Sequence, residues 1–175
     1  MSDIQFKYRH DFAVWAGARA SQRGFTTVEI LKDALETSGV MLFASNPNII
    51  SNQVEFEKAH LIWCQNICKF LDNKDISNVS FGRAAKLIAV YLKSMVVIPN
   101  MDSPQASFIH PPVDRILLQN LSKLNKIPRD HQMLLSRSSW TKFNLTEYIK
   151  IIAIIDTYLN GKPLWQIEEY WTVAA

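Results

Sequence analysis

Hydrophobic residues recur at three- and four-residue steps along most of the chain, which is the spacing of amphipathic helices. The pattern predicts seven or eight helices, at about residues 5–23, 26–39, 51–71, 81–95, 113–124, 129–135, 144–158 and from 163 onwards. The clearest apolar stripe belongs to the third helix and comprises Phe56, Ala59, Trp63, Ile67 and Phe70 or Leu71. The fourth helix is the most apolar, and its small residues Gly82, Ala84, Ala85 and Ala89 let another backbone approach closely, so we expect it at the centre of a bundle.

The first and last predicted helices each have an apolar face that should meet the core. In the first helix this face contains Phe6, Phe12, Ala13, Ala16 and Ala20, and the opposite face contains Arg9, His10, Asp11, Arg19 and Arg23. The polar face predicts solvated residues with local ion pairs. The alternative is that Arg19 and Arg23, four residues apart, meet a phosphate. The last helix is predicted to seal the core with Leu164, Trp165, Ile167, Tyr170 and Trp171.

Capping residues mark several predicted helix starts. They are Thr26 with Glu29, Asn52 with Glu55, Ser77 or Ser80, Asp114, and Asn144 with Glu147. Such side chains accept hydrogen bonds from the unpaired N–H groups of a first helical turn. Between two of these helices, residues 96–112 contain four prolines and predict a long linker, of the kind that is usually functional or mobile.

Composition indicates an ordinary globular protein of one domain, residues 1–175. Of the 175 residues, 48% are hydrophobic and 20% charged, and only five are glycine. We therefore predict an all-α fold, a single compact multi-helix bundle. Nothing at the N-terminus resembles a secretion signal, so we expect a cytoplasmic, reduced protein. The apolar runs are too short to cross a membrane, and a net charge of +3 permits contact with nucleic acid without requiring it.

His60, Cys64 and Cys68 lie four residues apart along the third predicted helix and resemble a ladder of metal ligands. At a rise of about 1.5 Å per residue the first and third are roughly 12 Å apart, too far to share one tetrahedral ion. A pair could bind only with a partner such as His110 or His131. We therefore expect no metal and no cofactor, and predict a half-buried helix flank in which cysteine acts as a small hydrophobe.

Lys86 and Asp114 are the strongest chemical candidates, because the sequence contains no glycine-rich phosphate loop, HExxH, CxxC or GxSxG motif. Lys86 has apolar neighbours on the fourth helix, and Asp114 opens the fifth after two prolines. An amine in apolar surroundings can lose its proton and act as a nucleophile. The alternative is a structural ion pair that keeps Lys86 protonated.

The segment from Gly82 to Lys86, GRAAK, followed by an apolar helix, a proline-rich loop and Pro112-Val113-Asp114, resembles the helix-hairpin-helix DNA glycosylase superfamily. The resemblance implies that Lys86 is the Schiff-base lysine and Asp114 the catalytic aspartate. It also implies that Gly82 is the first hairpin glycine. In such a protein Arg83, Arg115 and the linker would contact duplex DNA. Arg19 and Arg23 would also contact DNA if they bind phosphates.

A second resemblance covers nearly the whole chain. The order of YRHDFAVWAGARA, FGRAAKLIAVYLK, HPPVDRILL and PLWQIEEYW is similar to that in small bacterial helical proteins without an assigned activity. It implies a bacterial protein in which Arg9, His10, Asp11 and Trp15 share a site with Lys86 and Asp114. The alternative is that Arg9 and Asp11 cap and pair at a helix start while Trp15 packs.

Two functions follow as hypotheses. The first is a DNA-binding protein related to base-excision glycosylases and abasic-site lyases, with Lys86 as nucleophile or positioning cation and Asp114 as electrostatic stabiliser. The second is a non-catalytic helical interaction protein, for example a homodimer, whose partner surface includes Trp140, Trp165 and Trp171. Steep salt dependence of DNA binding would distinguish the first from the second.

Overall fold

The computed structural model describes residues 3–22 and 24–172, and within them it contains helices and no β-strand. The all-α prediction is therefore confirmed. The α-helices are α1 (Asp3–Gln22), α2 (Val28–Thr37), α3 (Val40–Ser45), α4 (Gln53–Asp72), α5 (Phe81–Leu92), α6 (Pro104–Phe108), α7 (Arg115–Leu121), α8 (Arg129–Arg137) and α9 (Leu145–Leu159). A π-helical turn, Lys93–Val97, follows α5, and short 3₁₀ helices occupy Pro47–Ile49, Trp140–Lys142 and Leu164–Tyr170.

Four of the five helix starts for which the sequence predicts a capping residue are confirmed, those of α4, α5, α7 and α9. Asn52, Ser80 and Asn144 each accept a hydrogen bond from the backbone N–H three residues later, and Asn144 with Glu147 forms a complete capping box. The exception is α2, where Thr27 is the cap instead of Thr26. Both threonines can cap a helix, and the sequence alone does not decide between adjacent candidates.

Helix α5 lies at the centre of the bundle, as its apolar composition predicts. It packs against α1, α4 and the 3₁₀ helix Trp140–Lys142, and most of its residues are buried. Two glycines allow these close contacts. A Cβ at Gly17 would lie 3.0 Å from the carbonyl oxygen of Leu87, and one at Gly82 would lie 2.0 Å from that of Trp140.

Helix α1 faces the core differently from the prediction. Phe12 is 61% exposed, whereas Ala13, Val14 and Ala18 are buried, and His10 is also buried instead of solvated. The reason is that α1 approaches α5 closely enough to require small side chains at the contact. A face of small residues therefore determines the orientation of α1, and the aromatic face points outwards.

The predicted linker, residues 96–112, is more ordered than expected. It begins in the π-helical turn, and α6 lies in its middle, with Ser103 capping the helix at the backbone N–H of Ala106. Val96, Val97, Ala106 and Ile109 are buried in the core. The apolar residues hold the segment against the bundle despite its prolines. Across the described part of the chain, no helix is both long and apolar enough to span a membrane.

Candidate functional site

Lys86 and Asp114 meet inside the protein. Lys86 lies on the second turn of α5, and Asp114 is the N-cap of α7, where its Oδ1 accepts a hydrogen bond of 3.0 Å from the backbone N–H of Leu117. The Lys86 Nζ donates to Asp114 Oδ2 over 3.2 Å. Only 5% of Lys86 and 6% of Asp114 is exposed. The ion pair considered in the sequence analysis is therefore present.

Asp114 has a further partner at the end of the chain. The indole Nε1 of Trp171 donates to Asp114 Oδ2 over 2.9 Å. Burial alone would raise the pKa of Asp114, but the hydrogen bonds from Leu117 and Trp171 and the charge of Lys86 outweigh it, so its pKa lies below the ordinary value. The carboxylate is therefore ionised at neutral pH. Trp171 is 42% exposed, so the prediction that it seals the core is wrong.

Lys86 also lies beside an aromatic ring. Its Nζ is 4.4 Å from the ring centroid of Trp140, a distance at which a cation is attracted to the face of the ring. Trp140 itself is buried, so it cannot belong to the exposed partner surface proposed from the sequence. Trp165 is partly buried, and its indole packs against the core.

A pocket of about 320 Å³ opens onto the ion pair. Its lining includes Arg19 of α1, Lys93 and Glu168 in addition to Lys86, Asp114 and Trp171. Lys93 and Glu168 form a second ion pair across the pocket. Burial, together with the nearby charge of Asp114, raises the pKa of Glu168, and Lys93 opposes this effect. The pocket therefore combines three cations with two carboxyl groups.

Two predicted DNA-binding residues have their donors directed into the fold. The Gly82 N–H donates to the carbonyl of Phe143 over 3.1 Å, and Gly82 lies within the first turn of α5 instead of in a hairpin. Arg83 donates from Nη1 to the Ser21 carbonyl over 3.1 Å and stacks 4.2 Å from the ring of Phe25. Burial lowers the pKa of Arg83. These contacts position α5, and they use the Gly82 N–H and one Nη1 N–H of Arg83 inside the fold.

The other predicted cations are distributed differently. Arg115 is exposed at the first position of α7, and Arg19 is exposed at the pocket. Arg23 lies outside the described residues. The pocket therefore has Arg19 beside Lys86, with Arg115 one residue after Asp114.

The α1 residues grouped by the second resemblance do not meet Lys86 as a set. His10 lies 3.0 Å from the hydroxyl of Tyr91 and 3.2 Å from Glu36, and Asp11 pairs with Lys7. Trp15 is 54% exposed. The lining of the Lys86 pocket takes Arg19 and Ala20 from α1 instead, one to three turns further along the helix.

Trp171 and Glu168 are site residues that were not predicted from the sequence. Both follow Pro163 in a stretch whose apolar residues indicate only a core-sealing helix, and their partners Asp114 and Lys93 are distant in sequence. As for metals, the described residues contain no group of three histidine, cysteine or acidic side chains that could hold an ion. His60 and Cys64 are both buried, and the Cys64 Sγ lies 3.8 Å from His60 Nε2.

No protein-family model matches the chain, and no curated protein or solved structure is significantly similar to it.

Proposed function

We propose that the protein acts on DNA as a glycosylase or abasic-site lyase, with Lys86 as the nucleophile and Asp114 as the electrostatic stabiliser. The observation that carries the proposal is the 3.2 Å contact between Lys86 and an N-capping carboxylate beside a pocket with further cations. The order of the two residues and the N-cap position of Asp114 agree with the resemblance to the helix-hairpin-helix glycosylases. Ala84, at the place of the second hairpin glycine, departs from it.

Asp114 suits the role of stabiliser because it stays ionised. Departure of a base leaves positive charge on the deoxyribose, and a carboxylate nearby lowers the energy of that state. The hydrogen bonds from Leu117 and Trp171 hold the carboxylate in one orientation and lower its pKa. The same bonds prevent Asp114 from taking up the proton that Lys86 must lose.

Lys86 becomes a nucleophile only after it loses one proton to solvent in the pocket. A sugar that enters between Lys86 and Asp114 separates the ammonium from its counter-ion, and the apolar surroundings then favour the neutral amine. At an abasic site the amine nitrogen attacks the C1′ aldehyde, a C–N bond forms, and water leaves to give a Schiff base. Loss of a proton from C2′ then expels the 3′ phosphate.

The phosphate contacts in this proposal belong to Arg19 and Arg115. Both side chains are exposed; Arg19 of α1 lines the pocket, and Arg115 of α7 lies between two residues that line it, Asp114 and Ile116. We do not assign this role to Gly82, whose N–H is bonded to the Phe143 carbonyl, or to Arg83, which is half-buried and donates to the Ser21 carbonyl. We therefore expect Arg115→Ala to weaken binding to all duplex sequences and to reduce its salt dependence.

Borohydride trapping on duplex DNA with an abasic site tests the proposal. The wild-type chain should give a covalent adduct, and mass-spectrometric mapping should locate the linkage on Lys86 without any variant. Lys86→Gln should abolish the adduct, whereas Lys93→Gln, the matched lysine in the same pocket, should retain it. Absence of an adduct with the wild-type chain, or a linkage on another lysine, would contradict the proposal.

A second candidate function is self-association through α1. Ile4, Tyr8, Phe12 and Trp15 are more than half exposed and lie at helical spacing on one side of α1. An apolar stripe of this kind suits the same stripe on a second copy of the chain. Sedimentation velocity should detect a dimer that Phe12→Glu dissociates, whereas Leu42→Glu, an equally exposed position on α3, should not. A monomeric wild-type chain would exclude this candidate.

A further inference from the structure

The pocket beside Lys86 contains a carboxyl group that has no role in the proposed mechanism. Glu168 lies in the 3₁₀ helix Leu164–Tyr170 and lines the pocket of about 320 Å³ together with Lys86 and Asp114. Its side chain is 17% exposed, so a molecule in the pocket can contact it. Among the described residues that line the pocket, Asp114 and Glu168 are the two with a carboxyl group. Glu168 is therefore the second acid of the site.

One oxygen of Glu168 is held by an ion pair, and the other is available to a ligand. The Lys93 Nζ donates a hydrogen bond to Oε2. Oε1 has no hydrogen-bond partner among the described residues, and it is not one of their fully buried polar atoms. An ionised carboxylate oxygen of this kind can accept a proton from a molecule in the pocket. The ion pair thus orients the carboxylate without occupying both of its oxygens.

Glu168 also lies near the ion pair of Lys86 and Asp114. Trp171, three residues after Glu168, donates to Asp114 Oδ2 over 2.9 Å. Burial and, to a smaller extent, the negative charge of Asp114 raise the pKa of Glu168, which places the two carboxyl groups near each other. A substrate bonded to Lys86 in this pocket therefore lies near both of them.

The two carboxyl groups differ in strength as bases. Asp114 accepts three hydrogen bonds, and its pKa lies below the ordinary value, so it binds a proton weakly. Glu168 accepts one hydrogen bond, from Lys93, and burial raises its pKa. A carboxylate with a raised pKa is the better general base. Elimination at an abasic site requires a base at C2′, and Glu168 suits this step better than Asp114.

We propose that Glu168 is the general base that removes the C2′ proton once Lys86 has formed the Schiff base. The inference rests on the proposed function and assigns a residue to its elimination step. Oε1 takes the proton, and the C2′–H electron pair forms a C1′–C2′ double bond, which neutralises the nitrogen. The nitrogen lone pair then re-forms the C1′–N double bond, a C2′–C3′ double bond forms, and the C3′–O bond breaks with its electrons on the 3′ phosphate. Water hydrolyses the imine to free Lys86 and an unsaturated aldehyde, and Glu168 releases the proton to solvent.

Two measurements on one substrate test this inference separately from the proposed function. The substrate is end-labelled duplex DNA with a single abasic site. Borohydride trapping measures the Schiff base, and a denaturing gel measures single-turnover strand cleavage. Glu168→Gln should retain the adduct on Lys86 and cleave at least about 100-fold more slowly than the wild type. Glu169→Gln removes the same charge from the adjacent, exposed residue, which is not among the described residues that line the pocket, and it should match the wild type in both measurements.

A smaller loss of cleavage in Glu168→Gln, or a wild-type adduct on Lys86 without cleavage, would overturn the inference and leave the role of Lys86 intact. If Glu168→Gln gives no adduct, the double variant Lys93→Gln/Glu168→Gln decides, because it leaves neither member of the ion pair charged without the other. It should form the adduct but cleave at least about 100-fold more slowly than Lys93→Gln alone. A double variant without an adduct, or with a smaller loss of cleavage, would overturn the inference. Absence of a wild-type adduct would instead contradict the proposed function, and this inference with it.

Discussion

Two buried polar groups differ in how they compensate for lost contact with water. Lys86 and Asp114 keep opposite charges, and the carboxylate of Asp114 accepts three hydrogen bonds. His60, His110 and Tyr148 are instead neutral, and one nitrogen has no partner among the described residues. His110 and Asp114 lie four residues apart, so one short segment contributes a residue to both the charged and the neutral group.

The difference follows from the hydrogen-bond donors and charges that surround each group. Asp114 starts a helix, and the N–H groups and dipole of α7 favour a negative charge there. His60, His110 and Tyr148 have no hydrogen bond or ion pair with a cation or carboxylate among the described residues, and burial shifts their pKa values so that all three are neutral. A charged group and a neutral group thus coexist in one core.

Gly82→Ala should have the largest effect, because it disturbs both regions. A Cβ at Gly82 would lie 2.0 Å from the Trp140 carbonyl oxygen, and Trp140 packs beside Lys86. The preceding residue, Phe81, lies against Tyr148. We expect the free energy of unfolding to fall by about 4 kcal/mol or more, measured by urea denaturation.

Gly17→Ala is the control for Gly82→Ala. Its Cβ would lie 3.0 Å from the Leu87 carbonyl oxygen, a tight contact that a small shift of α1 can relieve. We expect a loss of about 1 kcal/mol. Equal losses of stability in the two variants would show that the segment around Trp140 can move away from Gly82. Gly82 would then not be needed to keep Trp140 beside Lys86.

Lys86→Met should have the second-largest effect on stability, because it removes the cation and leaves a buried carboxylate without its counter-ion. We expect a loss of about 3 kcal/mol at neutral pH. Lys7→Met removes the same charge from the exposed pair with Asp11, and it should leave the free energy of unfolding essentially unchanged. A Lys86→Met variant as stable as the wild type would mean that Leu117 and Trp171 alone stabilise the ionised Asp114.

Local features of the chain were predictable, and the contacts between distant elements were not. Ser80, Asn52 and Asn144 cap helices through bonds to residues three positions away, so their roles follow from the sequence. Periodicity gave the existence of α1 but not its orientation, because small residues as well as large ones can form a contact face. Phe12 is the clearest example.

Of the residues that line the candidate site, Lys86, Asp114 and Arg19 were predicted as site residues, whereas Lys93, Glu168 and Trp171 were not. Lys86 and Asp114 stood out because a charge among apolar neighbours needs a partner. The bond from Trp171 to Asp114 was not predictable, since an indole looks like any other core residue in the sequence. The contact between His60 and His110 appeared only as one of two options for a shared metal site, and the structure brings the two rings together without such a ligand set.

The two regions should respond differently to mild acid, because their groups lose their contributions to stability at different pH values. The pKa of His110 is about 4 in the folded state and 6.5 without burial, so the unfolded chain binds more protons between these values. Stability from neutral His110 is therefore present above pH 6.5 and lost as the pH falls towards 4. From pH 7 to pH 5 this histidine should cost about 2 kcal/mol.

Asp114 loses its contribution at a lower pH than His110 does. Its folded pKa lies below the ordinary value of 3.8, so its contribution is present above that value and is lost only as the pH falls further. Urea denaturation at pH 7 and pH 5 should thus show a smaller pH effect in His110→Phe than in the wild type. His131→Phe serves as the control, and an unchanged pH effect in His110→Phe would contradict the assignment.

Leaving the control variants aside, Trp171→Phe should have the smallest effect, and it isolates one hydrogen bond of the charged region. Trp171 is 42% exposed, so the change removes little packing but deletes the indole N–H that donates to Asp114. We expect a loss of about 1.5 kcal/mol and a higher pKa for Asp114, visible as acid unfolding that begins at a higher pH.

The matched variant is Trp165→Phe, because the buried Nε1 of Trp165 has no partner among the described residues. Removing that unpaired donor offsets the packing that is lost, so Trp165→Phe should be less destabilising than Trp171→Phe and leave the acid transition in place. The reverse order would mean that the indole of Trp171 contributes no net stabilisation to the ionised carboxylate. The charge of Asp114 would then be stabilised by the N-terminus of α7 and by Lys86 alone.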